Sequence, residues 1–142
     1  MGRILAIDYG RKRTGLAVSD PLRMIAGGLE TVATAQLSAW LRHYLTLEEV
    51  ECIIVGAPLL LDGSASETMT QYVLPFVRRL EKAYPAVQVT LVDERFTSKM
   101  AARAMVDGGM KKKDRRNKAN TDKLSAVILL QGYLDGRTAG QM

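Results

Sequence analysis

The sequence predicts an α/β fold: one domain over residues 1–142, with a five-stranded mixed β-sheet flanked by helices. Three observations carry that expectation. A chain of 142 residues can bury a core without disulfide or metal staples. The first thirty or so residues hold three short strand-like runs separated by turn signals, the pattern of an antiparallel meander. After them, helical periodicity alternates with buried strand-like runs, which is how a sheet acquires parallel strands.

Taken in order, Ile4 to Ile7 is a short apolar run suited to a strand buried on both faces. It ends at Asp8, Gly10 allows a turn, and Thr14 to Val18 reads as the second strand. Asp20-Pro21 breaks that strand, because proline cannot donate to a ladder and restricts the residue before it. Met24 to Val32 forms the third. Leu37, Trp40, Leu41, Tyr44 and Leu45 recur at helical spacing, and Ile53 to Val55 is the fourth strand. Ser64 and Glu67 have capping-box spacing, and Met69, Tyr72, Val73, Phe76, Val77 and Leu80 then hold one helical face. Pro75 should kink that helix. Val87 to Val92 is the fifth strand. Residues 97–107 are helix-prone up to Gly108-Gly109, and a final helix runs from about Thr121 to Leu134. A basic, flexible loop over about 108–120 and a loose tail over 136–142 complete the chain.

Composition narrows the function classes. Hydrophobic residues at 47% and charged residues at 25% argue against disorder. With one cysteine, Cys52, and one histidine, His43, neither a disulfide framework nor a Cys/His zinc site can be built. No apolar run approaches the roughly 20 residues that span a bilayer, and the N-terminus lacks the shape of a signal peptide. A cytoplasmic protein without a membrane partner is the expectation. The formal net charge is +5, and the block from Lys111 to Lys118 alone sums to +5, so the rest of the chain is neutral. Such a block either binds an anionic polymer, nucleic acid above all, or serves as a solvated connector.

Three carboxylates close predicted elements. Asp8 follows a buried central strand, where a charge costs free energy unless paired or bound to a cation; it either caps the turn or serves a ligand at the strand's carboxyl end. Asp93 and Glu94 close the fifth strand, and alternation lets only one of them face a given site. Asp122 shares a helical stripe with Ala126, Leu129 and Tyr133, in line with the face that packs on the sheet. It is also in the first turn, where the helix dipole favours an anion. Three acids converging on one edge repel each other unless a divalent cation joins them, and an all-oxygen set suits Mg2+ or Mn2+. The loop Gly56 to Ser64 is long enough to touch a ligand but lacks a phosphate-cradling Gly-Lys-Ser/Thr ending.

The run Asp8-Tyr9-Gly10-Arg11-Lys12-Arg13-Thr14-Gly15-Leu16-Ala17-Val18-Ser19-Asp20 resembles the opening signature of the YqgF family, whose members are named as nucleases of precursor 16S ribosomal RNA and as Holliday-junction-resolvase-like proteins. Gly56-Ala57-Pro58 with Asp62-Gly63, then Asp93-Glu94-Arg95-Phe96-Thr97-Ser98, then Asp122-Lys123-Leu124-Ser125-Ala126-Val127 match its later blocks in order, from about Arg3 to Leu134. The resemblance implies a ribonuclease H-like fold with the first three strands antiparallel. It implies an acidic metal site of Asp8, Glu94 and Asp122, with Glu94 taken over Asp93 because that strand's acid is typically glutamate in the fold. Ser125 departs from the junction resolvases, which carry a second aspartate there. Thr97-Ser98 stands where Thr-Thr is commoner.

The implied activity is metal-dependent phosphodiester hydrolysis on structured RNA, trimming the 5′ end of precursor 16S ribosomal RNA. Arg11, Lys12, Arg13 and Arg95 would engage phosphate near the acids, while Lys111, Lys112, Lys113, Arg115, Arg116 and Lys118 grip backbone further out. The protein would act as a monomer or weak homodimer. Two other readings stand beside this one: a junction-resolving DNA nuclease, which needs a dimer to match the junction's symmetry, and a non-catalytic RNA-binding maturation factor. The Asp8-x-Gly10 turn also resembles the phosphate loop of actin-like ATPases, but those clamp nucleotide between two such domains and this chain supplies one.

Overall fold

The computed structural model describes residues 2–94 and 118–140, with side chains over 2–94 and 123–136. Five strands, β1 (Arg3–Asp8), β2 (Arg13–Ser19), β3 (Ala26–Ala33), β4 (Val50–Ala57) and β5 (Gln88–Asp93), form one sheet in the order β3-β2-β1-β4-β5. β2 runs antiparallel to β1 and β3, while β4 runs parallel to both β1 and β5. The expected mixed sheet with an antiparallel opening meander is therefore present. β1 and β4 are central because their apolar runs suit burial on both faces.

Alternation along those two strands builds two cores. Leu5, Ile7, Ile53 and Val55 face α1 (Leu37–Leu47) and α2 (Leu74–Ala83), joining Leu41, Phe76 and Leu80. Ile4, Ala6, Cys52 and Ile54 face α3 (Lys118–Gly140), meeting Ala126, Leu129, Leu130 and Leu134. Each fully buried aliphatic side chain contributes about 1.5–3 kcal/mol, so β1 and β4 anchor both layers. The only described buried side chains with hydroxyl groups in the meander, Thr14 and Ser19, are bonded. Thr14 Oγ1 lies 2.9 Å from Thr34 Oγ1, and Ser19 Oγ accepts from the Ile4 N–H at 2.9 Å.

Four local expectations are corrected. The helix over 67–83 is capped by Ser66, whose Oγ accepts from the Met69 N–H at 3.1 Å. Ser64 instead donates both its N–H and its hydroxyl to Asp62, closing the Asp62-Gly63 turn. The regular α-helix expected ahead of Pro75 is instead π-helical over Met69–Val73, a local irregularity of the kind that accompanies helix kinks. Pro75 cannot bond the carbonyl four residues back, and the wider turn has the Leu74 N–H donating to Met69 O. Finally, α3 begins at Lys118 and continues to Gly140, so 118–120 are helix where a loop is expected, and most of the expected tail is helix too. The helix expected over 97–107 lies outside the described residues.

Candidate active site

Asp8 and Glu94 are the two predicted acids that the described side chains bring together. The same alternation that sends Ile4 and Ala6 toward α3 sends Asp8 to that face, at the carboxyl end of β1. Glu94 follows β5, and its N–H donates to Ala57 O at 3.2 Å, extending the β4–β5 pairing by one residue. In that register Gly56 pairs with Val92, so Gly56 and Glu94 share the α3 face while Asp93 points the other way and is exposed. The choice of Glu94 over Asp93 thus has a geometric basis in strand parity.

Gly56 makes room for the pair. A Cβ at position 56 would overlap Glu94 Oε2, would lie 2.9 Å from its Cδ and would come within 3.3 Å of Leu129 Cδ2. On β4, between the two acid-bearing strands, any larger residue would evict the glutamate. Glu94 is half-buried, and its carboxyl is pushed up to about 8. Burial is the main cause, followed by the Asp8 charge, a side-chain hydrogen bond in which protonated Glu94 donates to Asp8, and the Asp93 charge. Two carboxyls held this close keep one proton between them at neutral pH unless a cation replaces it.

Asp122 lies in α3 beyond its first turn, which holds no acid because the helix starts earlier than expected, at Lys118. It stands one turn before Ala126 and two turns before Leu129, on the stripe that packs against the sheet. Its side chain lies outside those described, as does that of Lys118 in the first turn. Ser125 is buried, one turn from the Leu129 that borders Gly56 and Glu94. Among the described residues no group of three or more potential ligands forms. The fit to a divalent cation rests on the donor chemistry. Asp8 and Glu94 offer hard oxygen donors, and their mutual repulsion is the charge a cation would neutralise.

The predicted phosphate-binding cations divide. Arg11, Lys12 and Arg13 are exposed in and after the turn that follows Asp8. The turn is braced: Thr34 donates its N–H to Lys12 O at 2.9 Å and its hydroxyl to Gly10 O at 2.5 Å. A Cβ on Gly10 would overlap Arg13 O, so the tightness of the turn requires glycine there. Arg11 lies over the Tyr72 ring, 4.5 Å from its centroid, held on the α2 side by a cation–π contact. Arg95, Lys111, Lys112, Lys113, Arg115 and Arg116 lie outside the described residues. Sequence reasoning missed two contributors, Gly56 and Tyr72. Gly56 was visible only as part of a loop motif, and Tyr72 was hidden in the apolar periodicity of its helix.

Comparisons with known proteins agree on a family. The model of the family described as "RuvX: Holliday junction resolvase" matches residues 2–136. A protein of Porphyromonas gingivalis named "Putative pre-16S rRNA nuclease" is 55% identical over 135 residues, covering 95% of this chain and 97% of that one. A protein of the same name from Phocaeicola vulgatus is 54% identical, covering 96% and 98%. Among solved structures, the fowlpox virus resolvase with Holliday junction DNA superposes with a TM-score of 0.61 at 12% identity, covering 95% and 98%. Thermus thermophilus RuvC with a Holliday junction gives 0.58 at 20% identity, covering 97% and 96%. At those identities the superpositions establish a shared ribonuclease H-like fold.

Proposed function

The chain belongs to the RuvX family, a family of phosphodiester hydrolases, and from that premise we propose that it is a divalent-metal-dependent nuclease processing the 5′ end of precursor 16S ribosomal RNA. The observation that carries this reading is the Asp8–Glu94 pair at the carboxyl edge of the sheet, with Gly56 clearing space beneath it. Ligands gather at that edge in α/β sheets. The RNA substrate is taken from the names of the most similar relatives.

Asp8, Glu94 and Asp122 would hold Mg2+ or Mn2+. A bound divalent cation supplies Lewis-acid polarisation of the scissile phosphate. The chain's own residues do the rest. Asp8 and Glu94 share a proton that a bound cation would replace, and both carboxylates would then serve as its ligands. Arg11, Lys12 and Arg13 neutralise phosphates on the strand entering the edge, and the braced Gly10 turn fixes the backbone that carries them. Lys111 to Lys118 adds charge for the backbone further away. We read the protein as a cytoplasmic monomer or weak homodimer. Among the described residues no helix is long and apolar enough to cross a membrane.

A four-way DNA junction is the second candidate substrate, because the family's description names it. Ser125 argues for RNA first: junction resolvases carry an acid at that position, and this hydroxyl is the poorer metal ligand. The deciding experiment incubates purified protein with Mg2+ or Mn2+ on precursor ribosomal RNA and on a four-way DNA junction, beside Asp8→Asn. Metal-dependent RNA cleavage that Asp8→Asn loses is the expected result. Efficient symmetric junction cleavage with intact RNA would reverse the order of substrates, and cleavage that survives Asp8→Asn would remove the site assignment.

A further inference from the structure

We propose that the groove between α1 and α2, across the sheet from the carboxylates, seats one nucleotide of a single-stranded segment of the nucleic-acid substrate; the proposal rests on the nuclease reading. The groove encloses about 210 Å3. Its floor is apolar, formed by Leu41, Phe76 and Leu80, with half-buried Tyr84 at one side. Its rim carries Arg42 from α1 and Arg79 from α2, both exposed. Pockets for drug-sized ligands begin at roughly 300 Å3, so this volume suits one planar ring rather than a larger ligand.

Charge selects the occupant. Among the described residues neither Arg42 nor Arg79 has a carboxylate partner. α1 holds no acidic residue, and α2 sets Arg78, Arg79 and Lys82 against Glu81 alone. Two guanidiniums without a carboxylate partner among the described residues, set over an apolar slot, are matched by a base flanked by its phosphates, the arrangement used for single strands.

A line of side chains on one helix also leads from the groove toward the carboxylate edge. Tyr72, Phe76 and Arg79 recur at four- and three-residue spacing along one side of the helix, over roughly 10 Å of its length. At the upper end Tyr72 holds Arg11 from the turn after Asp8. Tyr9, the residue next to Asp8, packs its ring on Phe76 at 4.7 Å between centroids. Arg79 reaches back over Phe76 at 5.9 Å. A strand leaving the carboxylates over the Gly10 turn therefore meets Arg11, then Arg79 and Arg42, with no acidic residue of α1 intervening.

The test measures binding of a short labelled oligouridylate to the full chain across a salt series, without divalent ions so that cleavage is silent. The double variant Arg42→Gln/Arg79→Gln should lower the log–log salt slope by about 1.4, from two lost single-strand phosphate contacts. Ala83→Phe, at an exposed position lining the groove, fills the slot and leaves every charge in place. It should weaken binding about fivefold or more with an unchanged slope, the loss expected for one unstacked base. A double variant that binds with the parent's slope overturns the groove, as does Ala83→Phe binding with the parent's affinity. Neither result touches the nuclease reading, which stands or falls separately on metal-dependent cleavage by the parent and its loss in Asp8→Asn.

Discussion

The two faces of the sheet are finished differently at the same edge. Toward α1 and α2, large side chains continue to the top: Tyr9, Met69 and Phe76 close over Ile7 and Val55. Toward α3, the core mixes Ile4, Ile54, Leu129, Leu130 and Leu134 with the small residues Ala6, Ala17, Cys52 and Ala126, and at the edge it gives way to Gly56, Asp8 and Glu94. The strands are shared, so the difference comes from side-chain volume alone. Full packing on one face holds the backbone rigid enough to keep two repelling carboxyls together on the other. The acid pair and the more fully closed packing thereby lie on opposite sides of β1, through residues that alternate along six positions.

Substitutions on the two faces should separate those roles. The largest effect is expected from Ile53→Ala, which opens a cavity in the α1–α2 core and should cost about 2–5 kcal/mol of stability in denaturant unfolding. Metal-dependent cleavage per folded molecule should fall much less than stability does; a chain as stable as the parent would contradict the account of that face. Asp8→Asn should do the reverse. Cleavage should drop about a hundredfold or more, since the cation site is worth several kcal/mol, while the metal-free melting temperature holds or rises as repulsion is relieved. A clear loss of metal-free stability would mean that Asp8 is primarily structural.

The pH dependence sharpens the comparison further. Glu94 titrates near its ordinary value in the unfolded chain and at about 8 in the folded one. Its protonated form favours the folded state, so this contribution is complete below about 4.5 and is lost as pH rises toward 8. Metal-free stability should therefore fall across that window, by at most about 1.4 kcal/mol per pH unit. Glu94→Gln should flatten the slope, and so should added Mn2+. An identical slope in parent and Glu94→Gln, measured by thermal melts across the window, would detach the titration from this residue. The smallest effect is expected from Gly56→Ala. The new methyl displaces Glu94, so cleavage should fall about tenfold, with a stability change near or below 1 kcal/mol. Parental activity in Gly56→Ala would mean that the glutamate acts from elsewhere.

Much of this was legible in the chain. The apolar run Ile4 to Ile7 ending in Asp8 announces a central strand with a charge at its carboxyl end, because burial on both faces and abrupt termination are local properties. The succession of strands and helices along the chain is equally local. The cap at Ser66 was not legible, since Ser64 has the better spacing to Glu67 and only the Asp62 turn removes it from contention. The π-helical response to Pro75 was likewise hidden, because proline forbids one hydrogen bond without stating which alternative the packing selects.

What the sequence determined by itself is the inventory and its rhythm: which runs are strands, which stripes are helical, and which acids end elements. Those follow from nearest-neighbour chemistry and periodicity, which need no partner. Tertiary structure alone decided the rest. Whether Asp93 or Glu94 turns toward Asp8 depends on the register of β5 against β4. Whether Gly56 matters depends on what lies above its missing side chain. Whether Arg11 swings free or rests on Tyr72 depends on a helix sixty residues away. Each is a question of distance between residues remote in sequence, and such distances exist only once the two faces of the sheet have packed.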